Sequence, residues 1–95
     1  MISGRDPAAT TQSTDPETQI RQAFVNLRAV IEAAGGTLDG VGKVTVYLRD
    51  FDHRRLVNTC WLEMFPDEGN RPARHVLAAD LQGGDWIQLD VIASR

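Results

Sequence analysis

Residues 14–36 constrain the fold more than any other part of the sequence, because their apolar residues recur at alternating steps of four and three. That spacing is typical of one side of an α-helix. The residues on that side are Ile20, Phe24, Leu27, Ile31 and Ala34. Thr14 or Asp15 can cap the N-terminus, Pro16 suits the first turn, and Glu17 can complete a capping box with Thr14. The pattern predicts a long amphipathic helix that must bury its apolar side against other elements.

The segment DFDHRRLVNTCWLEMF, residues 50–65, predicts a second helix of about four turns. Its apolar residues are again spaced three and four apart, and they are Leu56, Val57, Cys60, Trp61 and Met64. Asp50 or Asp52 can cap this helix, which we expect to end near Phe65. We also expect Trp61 and Phe65 to lie in the core.

Three segments have the alternation or the β-branched content of strands, namely KVTVYLRD, RHVLAADL and WIQLDVIAS, and Met1–Ser3 could be the stub of a fourth. One face of the last strand carries Ile87, Leu89, Val91 and Ala93. The other face carries Trp86, Gln88, Asp90 and Ile92. The order of elements predicts an α+β fold with two helices on one face of a small mixed sheet, joined by right-handed crossovers. A symmetric partner chain is expected to cover the other face.

Length and charge limit the classes of function. A chain of 95 residues predicts one domain, with a loop or strand stub over residues 1–13 and the core over 14–95. Lys and Arg number 10 against 13 Asp and Glu, with both signs interspersed, whereas a general nucleic-acid binder needs a clustered basic face. The sequence has neither an apolar run of about 20 residues nor a signal-peptide pattern. We therefore expect a cytoplasmic protein that binds neither membranes nor nucleic acid.

Cysteine and histidine usage argues against a metal site. Cys60 is the single cysteine, which excludes an intrachain disulfide and a cysteine cluster, and we expect it to be a small buried hydrophobe. His53 is predicted to be a surface residue in the first turn of the second helix. His53 and His75 lack ligand-like spacing. The sequence thus indicates no metal site. Trp86 is either a core residue or a lid at an interface.

The segment NRPARHV, residues 70–76, is either a solvated loop or an anion-binding site. Pro72 restricts the turn, and the planar guanidinium of Arg74 offers paired donors that suit a carboxylate. Arg71 is expected to be solvated. His75 follows Arg74 directly and should point to the opposite face of the strand.

Five stretches in order along the chain together resemble the RidA/YjgF family. They are SGRDP, QIRQAFVNLRAVIEAAGGTLDGVGKVTVYLRD, VNTCWLEMFP, RPAR and IQLDVIA. The resemblance implies a chorismate-mutase-like α+β fold (bacillus type) and a homotrimer with ligand clefts between adjacent subunits. It also implies hydrolysis, without a cofactor, of small imino or enamino acids such as 2-aminoacrylate to a 2-keto acid and ammonia.

The resemblance also implies site residues. Arg74 matches the arginine that grips the substrate carboxylate, and Asn58 matches an asparagine near the cleft, although it could equally be a helix-surface residue. Gly4 and Arg5 match a turn that lines the pocket. Gln88 takes the position of a family glutamate, and a glutamine cannot accept a proton from water as a carboxylate does.

Family members usually carry an N-terminal β-hairpin and a tyrosine-containing segment before the SGR turn, so relative to them we expect a fold truncated at its N-terminus.

On the Gln88 face of the last strand, Asp90 is the only carboxylate. It could activate a water, or it could have a structural role at an interface, and Gln88 could orient a water by hydrogen bonding.

Three functions are weighed on this basis. The leading hypothesis is a RidA-type deaminase with Arg74, Gln88 and Asp90 as catalytic residues. The alternative is a non-catalytic family member that keeps Arg74 to bind small carboxylates or keto acids. An endoribonuclease-like activity ranks third, because the chain is acidic and no basic, aromatic-studded face is evident.

Overall fold

The computed structural model describes residues 1–93 as two helices packed on one face of a four-stranded sheet. The helices are α1 (Pro16–Ala33) and α2 (Arg54–Met64). The strands are β1 (Ile2–Ser3), β2 (Val41–Leu48), β3 (Ala73–Ala78) and β4 (Ile87–Ala93). The predicted α+β class is confirmed, while Ser94, predicted as the end of the last strand, lies outside the described residues.

The strand order across the sheet is β1, β4, β2, β3. β2 and β3 pair in parallel, as predicted for strands joined by a helix, and α2 makes that crossover. β4 runs antiparallel to both β1 and β2 and lies between them. β1 and β2 therefore run in the same direction without pairing across α1.

Asp15 caps α1, which decides between the two N-caps that the sequence offered. The Asp15 Oδ2 atom accepts hydrogen bonds from the Thr18 backbone N–H at 2.9 Å and from the Thr18 hydroxyl at 2.8 Å. At the other end Gly35 has φ +79°, the left-handed conformation in which glycine is favoured. The Gly36 N–H donates to the Ile31 carbonyl at 3.0 Å, which satisfies one of the last carbonyls of the helix.

The Asp15 cap should give α1 a pH-dependent contribution to stability. The hydrogen bonds from Thr18 hold the pKa of the Asp15 carboxyl below its ordinary value of 3.8. A carboxyl with a lowered pKa in the folded state stabilises the fold above its unfolded-state pKa, and this contribution is lost as the pH falls through the folded-state value. We expect Asp15→Ala to lower the melting temperature at pH 7, and we expect the difference from the wild type to disappear as the pH falls well below 3.8.

The matched control for this titration is Asp80→Ala, which removes an exposed carboxylate for which the described residues supply no partner. Its melting temperature should follow that of the wild type throughout. A deficit in Asp15→Ala that stayed constant down to pH 2 would show that the carboxylate is not the source of the stability.

The second helix is shorter than predicted. α2 has 11 residues, about three turns, and a separate 3₁₀ turn at Phe51–His53 precedes it. Asp50 caps the 3₁₀ turn by accepting the Asp52 backbone N–H at 3.0 Å, so the α-helix itself begins without a side-chain cap. The predicted apolar side of the helix is nevertheless confirmed, because Val57, Cys60, Trp61 and Met64 are all buried.

The core lies between the two helices and one face of the sheet. From α1 it contains the predicted apolar side without its last alanine, and from the strands it contains the residues that face the helices: Val44, Val46, Leu48, Ile87 and Leu89. Phe65 is also buried, as expected.

Neither helix of residues 1–93 packs on the opposite face of the sheet, which we call the helix-free face. By strand register and alternation its residues are Lys43, Thr45, Tyr47, His75, Leu77, Gln88, Asp90 and Ile92. Ile92 is 67% exposed and Leu77 is 36% exposed. The sequence-based expectation that one face lacks a cover within the chain is thus met, whereas a partner chain on this face stays a prediction.

Gln19 is a buried polar residue that joins three separate segments. Its side-chain nitrogen donates to the Ser13 carbonyl at 2.8 Å and to the Gly84 carbonyl at 3.2 Å. Its side-chain oxygen accepts the Trp86 backbone N–H at 2.9 Å. The amide therefore ties the loop before α1 to the turn that leads into β4.

Two sequence-based expectations about exposure are wrong. His53 is half-buried, since its ring packs edge-on against Trp86 at 5.3 Å between centroids, and its Nδ1 atom is buried without a hydrogen-bond partner among the described residues. Arg71 is not simply solvated. Its Nε donates to the Phe65 carbonyl at 2.7 Å, which satisfies a carbonyl directly after α2.

Candidate functional site

Arg74 lies on the face of β3 that the helices cover. It pairs in register with Val44, a core residue of β2, so its side chain points toward α2. Its Nη1 atom donates to the Asn58 side-chain oxygen at 3.2 Å. The guanidinium carbon lies 5.1 Å from the ring centroid of Trp61, a cation–π distance. Because Trp61 is only 4% exposed, a fixed core side chain supports the arginine.

A cavity of about 320 Å³ opens beside Arg74, and we call it the arginine cavity. Its lining residues are Arg54, Arg55, Asn58, Arg74 and Val76. Asn58 lies three and four residues after the two α2 arginines, a spacing that puts all three on one side of the helix. The parallel crossover from β2 through α2 to β3 brings that side of the helix next to Arg74.

The arginine cavity is strongly cationic. Among residues 1–93, its lining contains three guanidinium groups and no carboxylate. Arg54 donates to the Phe51 carbonyl at 3.3 Å and lies 3.5 Å from Asp52, whose side chain is 91% exposed. Two arginines in the first turn of α2 oppose the helix dipole, which favours negative charge at that end. The local electrostatics therefore favour an anion in this cavity.

The structure places Gln88 and Asp90 away from Arg74 within one chain. Gln88 pairs with Tyr47 and Asp90 pairs with Thr45, so both belong to the helix-free face, whereas Arg74 faces α2. The Gln88 amide donates to Asp85 at 3.4 Å. A single chain thus does not assemble the three residues proposed to be catalytic, and their joint role stays a prediction.

Gly4 and Arg5 lie at the far edge of the sheet from Arg74. Three strand spacings of about 4.8 Å each separate β1 from β3. Gly4 is buried against the α1 backbone at Gln19, where a Cβ atom would clash with the Gln19 carbonyl. Close backbone approach is thus the reason for glycine here, and the approach is to a helix.

Arg5 follows in a turn that Asn26 of α1 holds. The Asn26 amide donates to the carbonyls of Ser3 at 2.9 Å and of Arg5 at 2.8 Å. Arg5 also lines a separate shallow cavity of about 300 Å³ between this turn and α1. Within one chain this turn and the arginine cavity are separate regions.

Sequence reasoning missed Arg54 and Arg55 as residues of the site. The available signal was their position one helical turn before Asn58, but the sequence analysis did not consider these two arginines. The supporting role of Trp61 was also missed, because its position in the apolar pattern indicated only a core residue.

The remaining candidates give no other catalytic centre in the described part of the chain. Cys60 is 6% exposed, and burial raises the pKa of its thiol, which disfavours the reactive thiolate. Residues 1–93 contain no group of three or more His, Cys, Asp or Glu side chains placed to hold a metal ion. Within the same range, neither helix has the length and apolar character needed to cross a membrane.

Comparisons with known proteins agree with the fold. A family model described as Endoribonuclease L-PSP matches residues 1–94. A RutC family protein from Pyrococcus horikoshii is 42% identical over 82 residues, which cover 85% of this chain and 64% of that protein. The chain thus spans less than two thirds of that relative.

Solved structures give the same picture. RidA from the Antarctic bacterium Psychrobacter sp. superposes with a TM-score of 0.84 at 28% identity, covering 96% of this chain and 73% of that one. The YjgF gene product from E. coli gives a TM-score of 0.85 at 27% identity, covering 99% and 76%.

Proposed function

Because the chain belongs to the RidA/YjgF (Endoribonuclease L-PSP) family, we propose that it is a cofactor-independent deaminase of small 2-imino or enamino acids, such as 2-aminoacrylate. Water would add to the imine carbon, and ammonia would leave to give the 2-keto acid. The observation that carries the proposal is the position of the Arg74 guanidinium in a cationic cavity of small-molecule size.

Substrate binding would rest on the free edge of Arg74. Asn58 accepts the hydrogen bond from Nη1. The described residues supply no partner for Nε and Nη2, whose parallel N–H groups can both donate to one carboxylate. Trp61 limits the freedom of the guanidinium, so less conformational entropy is lost on binding. With the carboxylate fixed at Arg74, the adjacent imine carbon would lie near the cavity mouth. The positive charge of the cavity would favour the shift of the C=N electrons away from that carbon as water adds.

Activation of the water would require a second chain. In one chain Gln88 and Asp90 belong to the helix-free face, so we propose a homotrimer in which that face of one subunit closes the arginine cavity of its neighbour. The exposed apolar side chains of Leu77 and Ile92 on the helix-free face support such an interface. In this arrangement Gln88 would orient the water, and Asp90 is the carboxylate available to accept its proton.

A binding-only function is the second candidate, and a specific observation favours it. Within the part of the chain that the structure describes, no carboxylate lines the arginine cavity, and the residue at the family glutamate position is Gln88. Such a protein would bind small keto acids at Arg74 without turning over their imines.

A coupled assay separates the two functions. An amino-acid dehydratase acting on serine releases 2-aminoacrylate, and lactate dehydrogenase follows the pyruvate formed, with semicarbazide present to trap free imine. We expect the wild type to hasten pyruvate release and Arg74→Ala to lose roughly 10- to 100-fold of this effect, the equivalent of a hydrogen bond to a charged group. Arg28→Ala, which changes the net charge equally on the outside of α1, should behave as the wild type.

The outcomes are distinct. No acceleration by the wild type, together with calorimetric binding of pyruvate that is lost in Arg74→Ala, would establish the binding-only function. Full activity in Arg74→Ala would refute the assignment of the carboxylate to this residue.

A further inference from the structure

The arginine cavity holds more positive charge than a simple 2-imino acid needs. Such a substrate carries one carboxylate, and the free edge of Arg74 is sufficient to bind it. Arg54 and Arg55 line the same cavity, and the guanidinium of Arg55 has no hydrogen-bond or ion-pair partner among the described residues. One cation without a partner in the described part of its own chain therefore remains after the carboxylate is placed.

Elsewhere this chain pairs an arginine near a helix surface with carboxylates. Arg21 of α1 lies 3.7 Å from Glu17 and 3.6 Å from Glu63 of α2. Among the described residues, the carboxylate that pairs with an arginine of this cavity is Asp52. It lies 3.5 Å from Arg54 and is 91% exposed, so solvent screens that pair strongly. The three guanidinium groups repel one another, and an anion in the cavity would relieve that repulsion.

The geometry gives the second anion a definite place. Arg55 precedes Asn58 by three residues on α2, so the two lie on one side of the helix, and Asn58 contacts Arg74. Arg55 thus lies about one helical turn, roughly 5 Å, from the point where Arg74 meets the helix. The two ends of a four- or five-carbon chain can bridge that separation.

We propose that the site selects 2-imino and 2-oxo acids that carry a second anionic group at their far end. Arg74 binds the carboxylate next to the imine carbon, and Arg55 binds the distal carboxylate or phosphate-like group, while Arg54 adds positive charge at the rim. This inference rests on the proposed function for the role of Arg74, and it adds the substrate class.

The test measures binding of stable 2-oxo acids by calorimetry, so it does not depend on turnover. The matched ligands are 2-oxopentanoate, with one carboxylate, and 2-oxoglutarate, which has the same carbon number and a second carboxylate. A third ligand, 2-oxo-4-phosphonobutanoate, replaces the distal carboxylate by a phosphonate. We expect the wild type to bind the better of the two ligands with a second anionic group at least about tenfold more tightly than 2-oxopentanoate, which corresponds to about 1.4 kcal/mol.

Variants assign the preference to a residue. Arg55→Gln should bind all three ligands with the affinity of the wild type for 2-oxopentanoate, because only the distal contact is lost. Arg74→Ala should lose affinity for all of them. Arg28→Gln should keep the full preference, which controls for net charge. Equal melting temperatures of Arg55→Gln and the wild type will show that folding is intact, as expected for an exposed side chain.

Failure of this inference is distinguishable from failure of the proposed function. Equal affinity for the three ligands, or a preference that survives in Arg55→Gln, would overturn the inference even if the coupled assay shows deaminase activity. A preference lost in Arg55→Gln would support it even if no imine is hydrolysed. The relative affinities of the carboxylate and phosphonate ligands then identify the distal group.

Discussion

Gly4→Ala should destabilise the fold by at least about 3 kcal/mol, the upper end of the usual range for overpacking. An added Cβ would overlap the Gln19 carbonyl and lie 2.9 Å from the Gln19 Cα. These atoms belong to the backbone of α1, so they cannot move aside as the end of a flexible side chain can. Either β1 must leave the sheet edge or α1 must shift on the core. Urea unfolding followed by circular dichroism at fixed protein concentration measures the effect.

Gly42→Ala is the matched control, since it adds the same atom at a glycine of β2. There the nearest atom is the Ile92 carbonyl oxygen at 3.6 Å, an ordinary contact. Its urea midpoint should change little. If Gly4→Ala unfolds at the same urea concentration as Gly42→Ala, then the close approach between the SGR turn and α1 does not limit stability.

Gln19→Leu should cost roughly 3 kcal/mol, because the substitution leaves three backbone groups without their partner. These are the carbonyls of Ser13 and Gly84 and the N–H of Trp86. The leucine has a similar volume, so packing contributes less to the loss than the missing hydrogen bonds. Thermal unfolding measures the total effect. Amide exchange of Trp86, measured by NMR, reports on the contact itself and should become much faster.

Gln82→Leu provides the comparison in the same turn. Its side chain is exposed and has no hydrogen bond among the described residues, so neither the melting temperature nor the exchange of Trp86 should change appreciably. Unaltered exchange of Trp86 in Gln19→Leu would mean that another group protects this amide.

The elements that sequence patterns predicted well are those whose signal is local. The apolar side of α1 and the alternation of β2 follow from spacing within one segment, and burial of Ile20 or Val46 requires only that some partner surface exists. The exposure of His53 could not be predicted in this way. Trp86, which covers it, comes from a segment 33 residues later, and no local pattern records that contact.

The same distinction between local patterns and contacts of distant segments applies to the candidate site. The resemblance put Arg74 and Asn58 in one site, and their contact follows from the parallel pairing of β2 and β3 across α2. The face of Gln88 relative to Arg74 depends on the register between β4 and β2, which is a relation between distant segments. Arg55 belongs to the site because the first turn of α2 lies beside β3. The position of a helix relative to a strand cannot be read from either segment alone.

The position of β4 between β1 and β2 bears on how this chain folds as it is synthesised. Ile2 pairs with Leu89, so β1 lacks its partner strand until β4 has emerged from the ribosome. Until then β2 exposes one edge, and the nascent chain presents unpaired backbone together with the apolar residues that pack against β4. We expect the sheet to close only after β4 has left the ribosome, in one late step rather than strand by strand.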